Sequence, residues 1–176
     1  MKEINIKDNN NYFTNTFGKL FEVINKDKAL LTAGTFDDFN TMTIGWLSAG
    51  VIWGKNTLTV YVRPSRYTYK FMENNDYFTV SFYDQKYFDK IMYLGRVSGR
   101  DEPKVAKIDF TPIEVDKSTT FKEAILTVVC KKIYCQDMDE KQLHTNGIEK
   151  YYPNDDFKPL EKYHRTYIGE IVKIFE

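Results

Sequence analysis

The chain has 176 residues with equal numbers of basic and acidic side chains, 25 of each, and a formal net charge of zero. Apolar residues make up 42%, including 13 Phe and 13 Tyr, so a chain of this length can form one domain with a sizeable core. The balanced charge argues against a general polyanion-binding protein, which needs a basic surplus on one face. Any anion site must therefore be local.

The N-terminal residues and the cysteines bear on the cellular compartment in which we expect the protein. The first residues, MKEINIKDNNNY, contain no apolar signal segment, and no stretch is long enough for a membrane span. We therefore expect a cytoplasmic protein without a membrane partner. Cys130 and Cys135 are an odd number of residues apart in a predicted strand and should face opposite sides. Neither a disulfide nor a metal site is expected.

The apolar pattern predicts six or seven strands with single helices between them. A short amphipathic helix is expected at 17–24, a helix at 66–74, and another from an Asp84 cap to Gly95. Strands are expected at 30–36, 41–53, 57–63, 77–82, 125–135 and 166–175, and 136–163 should cross the surface. This order does not suit a doubly wound sheet, and no GxGxxG motif follows a strand. It favours an antiparallel sheet closed into a small barrel.

The stretch RPSRYTYKFME, which begins at Arg63, joins a strand to a helix through an unusual corner. Pro64 keeps Arg63 extended, Ser65 is a natural N-cap, and 66–68 (Arg66, Tyr67, Thr68) should form the first helical turn. This corner suits a phosphate, because the helix start offers free N–H groups and the positive end of its dipole. Two hydroxyls and two guanidiniums add further donors. The alternative is an ordinary capped helix with solvated arginines. Cations in a first turn oppose the dipole unless an anion is present, which favours the phosphate.

A second segment, FNTMTIGWLSAG from Phe39, places small polar residues and glycines along a strand. Such a strand exposes backbone amides and carbonyls to a flat ligand rich in heteroatoms. Met42 and Trp46 offer apolar contact. Together, the two segments predict a site for a planar ring with a phosphate tail.

These segments resemble the flavin reductase-like family with the FMN-binding split barrel, in particular its flavoredoxin-like branch. The resemblance covers about Ala33 to Gly99 and resumes from His164 to Val172. It rests on FNTMTIGW, the run LTVYVRPSRYTYKFME, FTVSF and LGRVSGRD, which occur in the family's order and spacing.

The resemblance implies a mainly β, six-stranded antiparallel split barrel of Greek-key type, a homodimer, and FMN near the subunit interface. It assigns the isoalloxazine and ribityl groups to Asn40, Thr41, Met42 and Thr43, with Trp46 and Ser48 near the same cofactor. It assigns the phosphate to Arg63, Ser65, Arg66, Tyr67 and Thr68. Ser98 and Arg100 would close over the site, although the bare sequence fits a solvated Arg100 equally well.

One position departs from the family pattern. NAD(P)H-dependent members carry Gly-Asp-His before the last strand, where this chain has Lys162, Tyr163 and His164. The histidine is retained, and it either supports the strand or faces the flavin or nicotinamide as a catalytic residue. Electron input from NADH or NADPH therefore stays open.

The leading hypothesis is an FMN-binding oxidoreductase: a flavin reductase, or a flavoredoxin-like carrier that exchanges electrons with another redox protein. The cofactor would supply the redox chemistry, so a missing catalytic triad does not count against it. A storage or sensor protein that binds flavin or haem without turnover is the alternative. A barrel that binds nucleic acid through aromatic stacking is disfavoured by the zero net charge.

Overall fold

The computed structural model describes residues 3–4, 28–153 and 162–176. The helix predicted at 17–24 lies outside these residues. The strands are β1 (Glu3–Ile4), β2 (Ala29–Gly34), β3 (Phe39–Ile44), β4 (Leu47–Ile52), β5 (Lys55–Val62), β6 (Tyr77–Phe82), β7 (Pro112–Val115), β8 (Ser118–Phe121), β9 (Leu126–Asp137) and β10 (Arg165–Phe175). The helices are α1 (Tyr67–Asn74) and α2 (Phe88–Arg96). None of the helices described is both long and apolar enough to cross a membrane.

The main sheet is antiparallel, with strand order β3-β2-β6-β9-β10-β5-β4 and β1 paired to β10. The hairpin β7-β8 forms a separate two-stranded sheet. Strands β3 and β4 lie at opposite ends of this order, yet only Gly45 and Trp46 separate them in the chain. The two ends of the sheet must therefore approach each other, which curls the sheet into a barrel.

Two apolar clusters stabilise this arrangement. The larger cluster lies on the inner face of the barrel and includes Leu31, Val60 and Phe78, all at most 1% exposed. The second lies beneath α2, where Ile91 and Leu94 pack near Leu30 and Phe121. Strand β5 has the burial that its period-two sequence pattern predicts: Leu58, Val60 and Val62 are buried, in alternation with less buried residues.

Several boundaries differ from the sequence prediction. The main sheet has eight strands rather than six, because the predicted 41–53 strand divides at Gly45 and Trp46 and β1 adds to β10. Gly95 lies inside α2 and does not end it. A Cβ at Gly95 would lie 2.8 Å from the Thr43 side chain, so this glycine permits close helix–strand packing.

The predicted cap of α1 is also wrong. Residues 63–66 form a turn in which the Arg66 N–H donates to the Arg63 carbonyl over 3.0 Å, with Pro64 at its second position. This turn delays the helix by one residue. Arg66 is therefore the N-cap, in an extended conformation and without a side-chain cap bond.

Candidate functional site

Two adjoining cavities lie between the β3 strand and the start of α1. The first cavity, of about 240 Å³, is bounded by β3, the 65–68 corner and residues 94–104. The second cavity, of about 260 Å³, is bounded by 42–46, Arg63, Tyr151 and His164. Both are lined by Met42, Thr43 and Arg66, so they form one groove with Arg66 at its middle.

The wall of the first cavity is held by a hydrogen bond between β3 and α1. Asn40 Nδ2 donates to Thr68 Oγ1 over 2.7 Å, and both side chains are buried. Because this hydroxyl oxygen accepts from Asn40, its own hydrogen is directed to another partner. The first turn of α1 is thereby fixed against the sheet, with a hydroxyl donor beside the cavity.

The loop from Val97 to Asp101 closes the opposite wall. Arg100 Nη1 donates to the Ser65 carbonyl over 3.0 Å, and its guanidinium lies 5.3 Å from the Tyr67 ring centroid. Ser98 Oγ accepts from the Arg100 N–H over 3.1 Å. A Cβ on Gly99 would come within 2.3 Å of Asn40 Oδ1, so the loop can approach β3 this closely only with glycine there. Arg100 is therefore part of the cavity wall.

Lys104 contributes a buried cation to the first cavity. Only 4% of the residue is exposed, and its Nζ donates to the Leu94 and Val97 carbonyls over 2.7 and 3.0 Å. Burial, with a smaller effect of Arg66, lowers the pKa of this ammonium to about 8. The cavity therefore contains several cations from separate parts of the chain.

The second cavity has an aromatic wall. The rings of Trp46 and His164 lie 4.7 Å apart, and Tyr151 packs edge-on against Trp46 at 5.3 Å. Arg63 donates to the Tyr151 carbonyl and lies 5.1 Å from the Tyr152 ring centroid. The Arg63 side chain thus lies beside the aromatic wall and contacts the 151–152 segment, and Arg63 does not line the first cavity.

His164 lies directly before β10 and is partly buried. Its Nδ1 is 2.7 Å from Tyr152 Oη. Burial first, then the charges of Arg63 and Arg66, lower the pKa of His164 to about 4. The imidazole is therefore neutral at physiological pH, with one donor and one acceptor nitrogen.

The structure brings together most of the predicted site residues. The first cavity is lined by Asn40, Met42, Thr43, Ser65, Arg66, Tyr67, Thr68, Ser98 and Arg100, and the second adds Trp46, Arg63 and His164. Thr41 and Ser48 line neither cavity. The Thr41 hydroxyl is buried on the other side of β3, where it donates to the Leu31 carbonyl over 3.2 Å. Ser48 is exposed on β4, opposite Thr59.

Comparison with known families identifies the family of this chain. Residues 24–174 match the flavin reductase like domain. The chain belongs to the flavin reductase-like family. Membership supports a flavin-binding function and agrees with the resemblance found in the sequence. A comparison with curated proteins finds no match.

Solved structures show the same split-barrel fold. Flavoredoxin from Methanosarcina acetivorans is 24% identical, with a TM-score of 0.64 over 85% of this chain and 68% of its own. The FMN-binding protein from Thermus thermophilus, with bound 1-cyclohex-2-enone, is 17% identical, with a TM-score of 0.61 over 85% and 69%. Nitrilotriacetate monooxygenase component B from Bacillus cereus is 16% identical, with a TM-score of 0.63 over 99% and 80%. The predicted fold class is confirmed.

Proposed function

We propose that this protein is an FMN-binding oxidoreductase, either a flavin reductase or a flavoredoxin-like electron carrier. The observation that carries the proposal is the groove formed by the two cavities. Its first cavity offers phosphate donors, and its second offers an aromatic wall. A ligand with a planar ring at one end and a phosphate at the other matches both halves.

The donor set fits a phosphate monoester. Arg66, Arg96, Arg100 and Lys104 line the first cavity, against a single carboxylate from Asp101. The Thr68 hydroxyl and the start of α1 add neutral donors beside these cations. This local positive charge, in a chain with zero net charge, favours one compact anion over an extended polyanion.

The ring end would be held by other residues of the same groove. Met42 and Thr43 line both cavities, and Trp46 adds an aromatic face that is 38% exposed. When bound, FMN would supply the redox chemistry by accepting and releasing electrons. The chain's own contribution would be to bind the phosphate, orient the ring and limit its access to water.

The second cavity supports a proposal for the source of electrons. The neutral His164 and the rings of Trp46 and Tyr151 line this cavity, which suits contact with the flat, uncharged ring of a reduced nicotinamide donor. We propose NADH or NADPH as the donor, and another redox protein in its place if the protein is a carrier. His164→Ala should then slow reduction by NAD(P)H while leaving FMN affinity within a few-fold.

We also propose a homodimer. The exposed apolar side chains Val51 and Trp53 lie at the edge strand β4 and the turn after it, 70% and 65% exposed. Such a surface favours association with a second copy. Light scattering at micromolar concentration should give twice the chain mass, and a monomer with FMN bound would refute this assembly.

The visible spectrum of the purified protein tests the function. The protein should carry flavin absorption or acquire it with added FMN. Oxidation of NADH and NADPH, with and without free FMN, then separates a reductase from a carrier. A protein that retains no flavin absorption after incubation with excess FMN and removal of the unbound flavin is not a flavoprotein, and the proposal would be abandoned.

A further inference from the structure

The side chain of Lys104 is unusual because its charge is buried beside other cations. The residue begins the short Lys104–Lys107 turn and is 4% exposed. Two of its three N–H groups donate to the Leu94 and Val97 carbonyls at the end of α2. These carbonyls fix the position of Nζ at the wall of the first cavity.

No carboxylate forms an ion pair with Lys104 within 28–153 and 162–176. The neighbouring Lys107 differs, because it pairs with Glu102 on the surface. Backbone carbonyls compensate only part of the desolvation of a buried ammonium, and an unpaired buried charge is costly. The third N–H of Lys104 can donate to an anion in the cavity. Such an anion would also be the counter-ion that the buried ammonium lacks.

We propose that Lys104 Nζ is a direct ligand of the phosphate group bound in the first cavity, which acts as the counter-ion of this ammonium. The inference rests on the proposed FMN site and adds a ligand from a loop outside the strand–helix corner. Lys104 would also connect the phosphate to the end of α2 through the Leu94 and Val97 carbonyls.

A pH dependence follows from the burial of Lys104. The other charged or titratable groups lining the cavity are Arg66, Arg96, Arg100, Asp101 and Tyr67. A phosphate monoester has completed its second ionisation, near pH 6, below the range from pH 7 to 9.

Lys104 does titrate in this range, since its pKa is lowered to about 8 by burial and then by Arg66. A bound anion raises that pKa, so binding takes up a proton wherever free Lys104 is neutral. Affinity should therefore be highest below pH 8 and fall about tenfold between pH 7 and 9.

The test measures binding by calorimetry at pH 7 and 9 with FMN, riboflavin and glycerol 3-phosphate, in buffers of different ionisation enthalpy. Wild-type protein should bind FMN about tenfold more weakly at pH 9, with proton uptake, whereas riboflavin affinity should not change. Lys104→Met should weaken FMN at pH 7 by about tenfold or more and abolish the pH dependence. The matched control, Lys107→Met, should behave as wild type.

The outcomes separate the two proposals. FMN binding by wild-type protein with no proton uptake and equal affinity at both pH values would overturn the role of Lys104 and leave the FMN site intact. Failure to bind either flavin would overturn the proposed function. If neither flavin binds but glycerol 3-phosphate does, with an affinity that depends on pH and on Lys104, the role of Lys104 as an anion ligand is supported. If glycerol 3-phosphate does not bind in this way either, the role of Lys104 is overturned too. Because the wild-type measurements suffice, misfolding of Lys104→Met would not remove the test.

Discussion

Asn40 and Thr68, 28 positions apart in the chain, are joined by a 2.7 Å hydrogen bond from Asn40 Nδ2 to Thr68 Oγ1. This bond connects β3 to the first turn of α1, and both residues line the first cavity. The wall at the phosphate end of the groove is therefore held by a buried polar pair. Such a pair is costly to break, because each partner is left unsatisfied.

Asn40→Ala should weaken FMN binding and reduce the free energy of unfolding by about 1–3 kcal/mol. Thr41→Val is a matched control on the same strand, because its buried hydroxyl bonds to the Leu31 carbonyl on the far side. The control should lose stability yet keep wild-type FMN affinity. Urea unfolding and a flavin titration measure the two effects, and equal FMN affinities in both variants would refute the role of Asn40.

Arg66 should contribute more to FMN affinity than Arg63 does. Arg66 lines both cavities, whereas Arg63 lines only the second and donates to the Tyr151 carbonyl. Arg66→Ala should lose one or more charge-assisted contacts, about 1.5–3 kcal/mol or roughly 10- to 150-fold in affinity, and Arg63→Ala should lose less. Riboflavin affinity should be unchanged in Arg66→Ala.

Lys70→Ala is the matched control for Arg66→Ala, since Lys70 is an exposed cation on α1 outside both cavities. It should leave affinity for both flavins unchanged. An effect of Lys70→Ala equal to that of Arg66→Ala would mean that only the general positive charge of α1 matters.

The strands could be predicted because their signals are local. The alternation along β5 is read within a few residues, and the predicted Thr57–Arg63 strand agrees with Lys55–Val62. The turn over 63–66 was not predicted, because the sequence there favours a Ser65 cap. Thr41 shows a limit of these local signals. Its neighbours Asn40 and Met42 line the first cavity, whereas the Thr41 hydroxyl is buried and donates to the Leu31 carbonyl.

Other parts of the site have no local signal. Lys104 lies in a polar loop where its sequence context resembles that of exposed lysines, and only its contacts with the end of α2 reveal its burial. Tyr151 reaches the second cavity from a segment without periodicity. Contacts between residues distant in sequence decide both positions.

Gly99→Ala should weaken FMN binding by displacing the 97–101 loop. The added methyl would meet Asn40 Oδ1 at 2.3 Å, and Asn40 also holds Thr68. Gly50→Ala is the matched control, because its Cβ would have no neighbour within 4 Å and its backbone is not left-handed. Flavin titrations of both variants should show a loss in Gly99→Ala only. Wild-type affinity in Gly99→Ala would show that the loop does not contact the ligand.

His164 should make the protein less stable in acid. Its pKa is lowered to about 4 by burial and by Arg63 and Arg66, so the unfolded chain binds a proton before the folded protein does. Stability is therefore fully present above about pH 6.5 and falls by roughly 1–3 kcal/mol as the pH approaches 4. His164→Gln should reduce this loss. The second histidine, His144, is exposed, and His144→Gln should not change the pH dependence measured by urea unfolding.

The phosphate site is tested most directly by the ratio of FMN to riboflavin affinity in the wild-type protein at pH 7. The two flavins share the ring and ribityl chain and differ by the phosphate, which the first cavity is proposed to bind. With several charge-assisted contacts to that group, FMN should bind at least about 100-fold more tightly. Equal affinity for the two flavins would contradict the phosphate site and the assignment of the groove that depends on it.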